Sequence, residues 1–536
     1  KLYIISYSDG TYSYSSNLFE GKKFTRDFLS SLKEGTRIRV KGELKYDDYA
    51  KETMINVNSL KVEEPLKPRE EEYQGEERRV EFHAHSKMSA MDGVAEVKDY
   101  FKAASAFKMK ALAIVDHANV QAFPQVSQCA KKYGIKAIYG SELYMVDSSL
   151  KIAINPSEDL IKDATYVVFD IETTGLSSRY DRIIEFGATK YHKGETIDEI
   201  DFFINPDMKL SPVTTNLTHI TDEDVRYGKP IKEALKIIKE FVKDTVLIAH
   251  NATFDFGFIN EALKNNNMDI LTNPVIDTLP LSRYFFPEQR SHRLGACCRT
   301  LGIEYDELSA HRAVYDAKVL LGVWEAMETK LLNTDINYKH KDLNLLTSDK
   351  VVLNARPTHI TCYAKNQQGL KDLFKIISES NITYFKEVPR VPRFLIEKYR
   401  ENLIIGSACS NSEIFDISMT KSEEETIKAM EFYDFIEVQP PLCTINLVND
   451  GSISSFEKLQ NVIKDIINAA KKAKKLVVAT SDCHYVNKED KVFRDVYVFA
   501  KGLKGARHPL NPFSRDKMKY YDNPEQHFRT TKEMLD

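Results

Sequence analysis

One pattern repeats along this chain and is interrupted once. A short hydrophobic strand ends, and a His, Asp, Glu or Cys stands at or just past its C-terminal end. Val80–Phe82 runs into His83, with His85 two residues on and Asp92 after a turn. Ala111–Val115 ends in Asp116-His117, and Lys136–Tyr139 is followed by Gly140-Ser141-Glu142. Far downstream the pattern resumes. A strand near Ile360 carries His359, Leu403–Ile405 precedes Gly406-Ser407-Ala408-Cys409, and Leu476–Ala479 precedes Asp482-Cys483-His484. A single such histidine is ordinarily a packing or capping residue. Recurrence at successive strand ends is hard to obtain from packing, and in a parallel barrel those ends are where sites are built. The two stretches therefore belong to one domain, and whatever lies between Glu142 and His359 is inserted into it. Imidazoles, carboxylates and one thiolate suit Zn²⁺ or Mn²⁺ better than Mg²⁺, and two to three cations are expected. Cys483 faces away from its neighbours if its strand end is extended.

The inserted stretch has its own inventory. Residues 164–332 hold 19 Lys and Arg against 26 Asp and Glu, whereas 451–536 hold 17 against 11. The formal net charge of −4 averages over this contrast. An acidic block beside a basic one fits metal-binding carboxylates in one place and phosphate contacts in another; two differently solvated surfaces fit equally well on charge alone. Tyr166–Ile171 reads as a buried strand in which Asp170 and Glu172, two positions apart, share a sheet face. Val246–His250 is a strand leading into a helix, Phe254–Lys264, with Asp255 in its first turn. Ala310–Met327 is helical and carries Asp316. Five residues turn an ideal helix by about 140°, so His311 is expected just before that helix, leaning over the site. Four carboxylates and one histidine suit two-metal phosphodiester hydrolysis. Hard oxygen ligands hold Mg²⁺ or Mn²⁺ ions about 4 Å apart, and the imidazole takes a proton from the attacking water.

The segments FDIETTGL (169–176), HNATFDFGF (250–258) and HRAVYDA (311–317) resemble the DEDDh exonuclease family. By that resemblance Asp170, Glu172, Asp255 and Asp316 are metal ligands, His311 is the general base, the fold is RNase H-like, and hydrolysis runs 3′ to 5′. The related subclass has Tyr four positions before the last Asp; Arg312 stands there, so the His subclass matches better.

The interrupted domain resembles the polymerase-and-histidinol-phosphatase (PHP) family, a distorted seven-stranded β/α barrel. Its nine-ligand set falls on His83, His85, Asp92, His117, Glu142, His359, Cys409, Asp482 and His484. Ahead of it, Lys1–Ser8, Thr11–Leu18, Arg37–Tyr46 and Met54–Val62 read as strands, with Asp9-Gly10 and Asp47-Asp48 as turns and a helical stretch at Thr25–Lys33. A small OB-like barrel short of one strand fits. Its Tyr12, Tyr14, Phe19, Lys22, Lys23, Arg37, Arg39 and Lys41 suit single-stranded nucleic acid, or plain barrel packing.

Together these parts resemble the PolC-type DNA polymerase III family, as do RRVEFHAHSKMSAMDGV (78–94), LVVATSDCHYVN (476–487) and HFRTTKEMLD (527–536). The resemblance implies a multidomain α/β chain: OB-like barrel 1–64, linker 65–79, PHP part 80–160, exonuclease 161–335, second PHP part 336–510, and at 511–536 the start of a link to a polymerase region. It implies proofreading within a replicative DNA polymerase, without the palm. It also implies a DNA 3′ end, single-stranded or frayed, as substrate, and the remaining polymerase domains, sliding clamp and replisome as partners. The PHP domain is left either as a phosphatase or pyrophosphatase, or as a metal-braced scaffold. KGLKGARHP (501–509) departs from the Gly-rich link expected there.

Composition removes other classes. At 42% hydrophobic and 29% charged, 536 residues describe folded domains rather than disorder. No run approaches the ~18 apolar residues of a membrane span, and no basic-then-apolar leader opens the chain. Seven Cys without a CxxC pair point to a reducing cytoplasm. The missing initiator Met and the opening at Lys1 read as a piece of something longer.

Overall fold

The computed structural model describes residues 1–8, 13–65, 69–147, 150–307, 310–346, 348–500, 502, 505, 507–511 and 523–536. Within them lie three packed units, and the second encloses the third.

The first unit is a pair of hairpins. Leu2–Ser8 pairs antiparallel with Ser13–Phe19, and Ile38–Asp47 with Glu52–Val62. Helix Arg26–Ser31, capped by Thr25, lies between them. Leu18, Phe24, Leu29, Val57 and Leu60 fill the space where the hairpins meet. Among the described residues the two ladders stay separate. Side chains link them: the Ser16 hydroxyl donates to the Ile55 carbonyl at 2.6 Å and Asn17 Nδ2 to Met54 Sδ at 3.7 Å. The described residues of the expected incomplete barrel thus form two facing ribbons. The Asp47 carboxylate caps the second turn by accepting from the Tyr49 and Ala50 amides. The expected Asp9-Gly10 turn and Tyr12 lie outside the described residues.

The second unit is a ring of strands. Ala111–Ile114 pairs parallel with Lys136–Val146, which pairs antiparallel with Thr358–Ala364. The order continues through Leu403–Gly406, Phe435–Val438 and Leu476–Ala479. Residues 81–85 join the two ends, with Glu81 bridging Leu112 and Ala84 bridging Cys483. Thr358–Ala364 is the strand that runs against the others. This is why His359, at its start, reaches the same rim as groups placed beyond the ends of the parallel strands. Leu143, Ile360, Leu373, Leu403, Ile405 and Ile436 belong to the main core of this unit.

The chain segments at the edges of this unit are bound to it. The Glu71 carboxylate accepts from the Thr531 and Lys532 amides, and Arg69 donates to the Val486 carbonyl at 3.1 Å. Tyr485 bridges His527, and the Phe528 side chain is fully buried. Where they are described, the stretches expected as a linker at 65–79 and as the start of a link at 511–536 are seated on the ring. Residues 69–79 and 523–536 brace each other on the ring, with Arg69 Nη1 3.6 Å from Glu533 Oε2 and the Arg79 amide donating to the Thr531 hydroxyl at 3.2 Å. Residues 66–68 and 512–522 lie outside the described residues.

The third unit is a seven-stranded sheet in the order Lys229–Pro230, Glu195–Asn205, Ile183–His192, Thr165–Thr173, Val246–Ala249, Val275–Asp277, Ala153–Ile154. Helices Ile231–Val242 and Ala252–Asn265 cover one face, where Val167, Phe169 and Ile171 point. Helix Ala313–Thr334 covers the other, against Tyr166 and Val168. Its buried residues Ala313, Asp316, Ala317, Leu320, Val323, Trp324, Met327 and Leu331 follow helical spacing, so one stripe is core and carries Asp316 with it. The unit is wider than the expected 161–335. Leu150, Ile152 and Leu343 join its core, Ala153 and Ile154 its sheet.

Gly187 sets how close helix Ala313–Thr334 approaches its strand. A Cβ there would collide with backbone atoms of Ala313 and Val314, which no side-chain rotation relieves. Gly187→Ala should lower unfolding free energy by about 1–3 kcal/mol, the usual cost of overpacking, measured by denaturant titration.

Candidate active site and metal centre

In the inserted unit, strand alternation places Asp170 and Glu172 on the face of Tyr166 and Val168, toward helix Ala313–Thr334. Asp255 enters from the first turn of helix Ala252–Asn265, whose start is fixed by the Asn251 amide donating to Asp277 at 3.0 Å. His311 precedes its helix, as the spacing required. Its backbone adopts φ +62°, a conformation L-residues rarely take, and its amide donates to Asp316 Oδ2 at 2.9 Å. Ligand atoms of Glu172, His311 and Asp316 lie within 4.8 Å of one another. Asp170 and Asp255 line the same cleft, a cavity of about 1130 Å³.

Crowding governs the charge there. Burial, then the charges of Asp255, Glu172 and Asp316, raises the Asp170 carboxyl well above the usual range. Burial and the neighbouring Asp316 and Glu185 push Glu172 up to about 8. Burial raises Asp255 and Asp316 as well. Asp316 Oδ1 is buried without a hydrogen-bond partner. Four acids that repel each other around an unpartnered oxygen fit hard divalent cations, which need such oxygens and supply the missing positive charge.

Glu185 was not anticipated. It is fully buried, accepts from Arg312 Nε at 3.0 Å and Nη2 at 2.8 Å, and receives the Ala313 amide at 3.0 Å. It thus anchors the turn that presents His311 and Asp316. Its signal was an acid inside an otherwise apolar strand, IIEFGA, two residues before Gly187.

On the ring, all nine expected groups converge on one rim. Glu142 is central. His117 Nδ1 lies 2.8 Å from its Oε2, His359 Nδ1 2.8 Å from Oε1 and His83 Nε2 3.4 Å from Oε1. Cys409 Sγ is 3.7 Å from Glu142 Oε1 and 3.4 Å from His359 Nδ1. His83 and His85 each place Nε2 3.4 Å from Asp482 Oδ1. Asp92 Oδ2 lies 3.0 Å from His117 Nε2 and 3.2 Å from His484 Nε2. Buried His83 Nε2 and His85 Nε2 make no hydrogen bond, and the buried His117 Nδ1 and Glu142 Oε2 face each other at 2.8 Å without hydrogen-bond geometry. Four ligand atoms aimed at one space without hydrogen bonds fit metal coordination.

Outer groups fix which ring nitrogen faces inward. His83 Nδ1 pairs with Glu437 Oε2 at 2.8 Å, and Glu437 also accepts from Thr480 at 3.1 Å. His85 Nδ1 donates to Ser89, which donates to Asp116 at 2.7 Å. Such partners orient metal-binding imidazoles through the nitrogen away from the metal. Burial and the like charges of His117 and His484 pull His85 down to about 3, leaving it neutral. Burial opposes protonation of His83, yet the Glu437, Asp482 and Glu142 charges outweigh it and raise His83 well above its usual value. Burial likewise disfavours ionised Asp92, but Arg494 and His484 hold it well below the carboxylate range.

Glu81, Glu437, Arg494, His508 and Gln526 were missed. Glu81 accepts from the His83 amide at 2.9 Å and the Ser481 amide at 3.1 Å, tying together the two strand ends that carry HAH and DCH. Arg494 Nη2 is 2.5 Å from Asp92 Oδ1, His508 Nε2 is 3.3 Å from it, and Gln526 donates to Asp482 at 2.7 Å. Only the strand-end position of Glu437 carried a sequence signal. Cys483 points at Glu81, away from the rim, as its spacing implied.

Residues 167–324 match the family model described as Exonuclease. The chain is 40% identical over 522 residues to the DNA polymerase III PolC-type of Staphylococcus epidermidis, covering 96% of this chain and 35% of that protein. It is 40% identical to that of Lactococcus lactis, over 94% and 31%, and 39% identical to that of Staphylococcus aureus, over 96% and 35%. The chain thus spans about a third of the length of the curated relatives it matches. A solved structure of exonuclease X with 5′ overhanging duplex DNA is 21% identical, covering 35% of this chain and 99% of that one at a TM-score of 0.27, too little overlap to bear on the geometry above. Over nearly its whole length the chain is similar to part of the PolC-type DNA polymerase III proteins, and residues 167–324 within it match the exonuclease family.

Proposed function

We propose that the inserted domain is a 3′–5′ proofreading exonuclease that shortens a single-stranded or frayed DNA end. The observation that carries this is the convergence of Glu172, His311 and Asp316 ligand atoms within 4.8 Å, in the cleft that Asp170 and Asp255 also line. Asp170, Glu172, Asp255 and Asp316 would hold Mg²⁺ or Mn²⁺. Divalent cations held there would neutralise charge on the attacking and leaving oxygens of the phosphodiester. His311, exposed at the cleft edge, takes the proton of the attacking water. Glu185 keeps the His311–Asp316 turn in register, and the apolar side chains of the cleft limit water around the scissile bond. Nucleoside monophosphates are the products.

The ring and its rim are read as a PHP domain spanning 80–160 and 336–510, with Zn²⁺ or Mn²⁺ on His83, His85, Asp92, His117, Glu142, His359, Cys409, Asp482 and His484. The orphaned imidazole nitrogens favour metal there. The buried clamp of Arg494 on Asp92 favours a bracing role over turnover, since one ligand is already held by a fixed cation. Residues 1–64 are read as an OB-like module. In the full-length protein the chain would serve DNA replication in the cytoplasm, beside the polymerase domains, the sliding clamp and other replisome proteins.

Asp170→Ala should abolish release of nucleotides from a 3′-labelled mismatched oligonucleotide. His311→Ala should slow it by about a hundredfold or more, with Mn²⁺ affinity by calorimetry nearly unchanged. Retained digestion by Asp170→Ala would sink the assignment.

The raised carboxyls give a pH signature. A folded-state value above the unfolded one means the metal-free fold holds those protons more tightly. Its stability is therefore lost as pH rises from the ordinary carboxylate range toward about 8, the level of Glu172. Mn²⁺ displaces the protons and relieves the repulsion. The rise in Tm on adding Mn²⁺ should be larger near pH 8 than near pH 5, and the excess should shrink in Asp170→Ala, which keeps the ring cluster. An equal rise at both pH values would contradict the shared charge repulsion.

Activity on p-nitrophenyl phosphate or pyrophosphate separates the two roles of the ring. With bracing alone, hydrolysis is absent from Asp170→Ala and His83→Ala lowers only Tm. Turnover that survives Asp170→Ala and dies in His83→Ala would instead make the ring a phosphatase.

A further inference from the structure

The exonuclease cleft has two walls, and they come from different domains. One carries the carboxylates. Across the same cavity stand Val448, Gly451, Ser452 and Ile453, which belong to the ring domain and precede its helix Phe456–Lys472. That helix also grips the turn following Glu172. Lys458 Nζ lies 2.7 Å from Asp181 Oδ1, and Arg179 Nη1 lies 3.2 Å from Asp465 Oδ2. The Tyr180 hydroxyl donates to Asp465, and its ring packs against the ring domain's core. Asp181 accepts from the Ser177 amide at 2.9 Å and lies against Gly175, where a Cβ would strike its carboxylate. The turn from Thr174 to Asp181 therefore hangs between Glu172 at one end and helix Phe456–Lys472 at the other.

We infer that the ring domain supplies the second wall of the exonuclease cleft, with Asp465 and Lys458 as positioning residues that set its separation from the carboxylates. The inference rests on the exonuclease reading above and adds what that reading leaves out, namely which part of the chain receives the strand leading to the scissile bond. At about 1130 Å³ the cavity exceeds the usual range of about 300–1,000 Å³ for small-ligand pockets. Leu176 and Phe254 offer apolar surface for bases, and Arg293 and Arg299 offer charge for phosphates. That mixture fits the end of a single strand. Clamping the turn from outside its own domain gives a direct route by which the host domain tunes proofreading. Gly451 takes φ +79° at the tip of the facing loop, which lets its backbone turn back toward the helix.

The test uses the whole chain and a single-stranded oligonucleotide with Mn²⁺. Ser452 is exposed, so Ser452→Glu does not threaten folding; it puts a negative charge in the wall facing a polyanion. KM should rise by about tenfold, with kcat changed by less than about twofold, and the increase should shrink at high salt. Asp465→Ala should raise KM in the same way. Asp465→Asn keeps an oxygen for Tyr180 and Arg179 and should recover most of the loss. An unchanged KM in Ser452→Glu overturns the inference, as does Asp465→Asn failing as badly as Asp465→Ala. Absence of nucleotide release by the unsubstituted chain would instead be failure of the exonuclease reading. Normal release with a kinetically silent Ser452→Glu is failure of the second wall alone.

Discussion

Buried carboxylates that cannot all be ionised together are the constraint on which this molecule turns. In the inserted domain, Asp170, Glu172, Asp255 and Asp316 face one cleft, and their mutual repulsion adds to the cost of burial. A fold that accepts such a cost needs positive charge delivered at that point. The ring domain meets the same constraint differently. Glu142, Asp482 and Asp92 sit among histidines and Arg494, so these acids stay ionised below their usual range and His83 and His117 are raised. One site is short of positive charge; the other carries protons where cations fit.

The scaffolds follow from these demands. Each carboxylate of the cleft is borne by a rigid element, a strand or a helix turn, and none by a free loop. The rim cluster is assembled from strand ends on both sides of the insertion, so the ring closes only when residues 81–85 meet 481–483. Glu81 makes that meeting specific by accepting from the backbone of both segments. Residues 69–79 and 523–536 then brace the outside of the same junction. Insertion of one domain into another is tolerated because its two connections lie side by side: Leu160 bridges Lys339, and Ala153 exchanges hydrogen bonds with Asn344.

Much of this was legible in the residues. Strand alternation placed Asp170 and Glu172 on one face, and helical geometry excluded His311 from the helix of Asp316. The strand-end rule gathered the candidates on both sides of the insertion, and the PHP resemblance selected nine of them. What was not legible came from contacts between segments distant in sequence. Glu185 and Glu81 act on backbone amides brought near by folding, which no spacing encodes. Arg494 meets Asp92 from helix Lys491–Phe499, and Gln526 reaches Asp482 because 523–536 folds back; local composition marks neither contact. The N-terminal strands were legible one by one, whereas how the two ribbons face each other was not, since local β-propensity says nothing about pairing.

Two divalent cations between Asp170, Glu172, Asp255 and Asp316 are what the proposed exonuclease requires of its cleft. Anomalous diffraction from crystals soaked in Mn²⁺ and a nucleoside 5′-monophosphate tests this requirement most directly. Two peaks about 4 Å apart in the cleft are expected, with His311 beside the phosphate. A cleft without manganese, while the ring cluster of the same crystal binds it, would contradict the account.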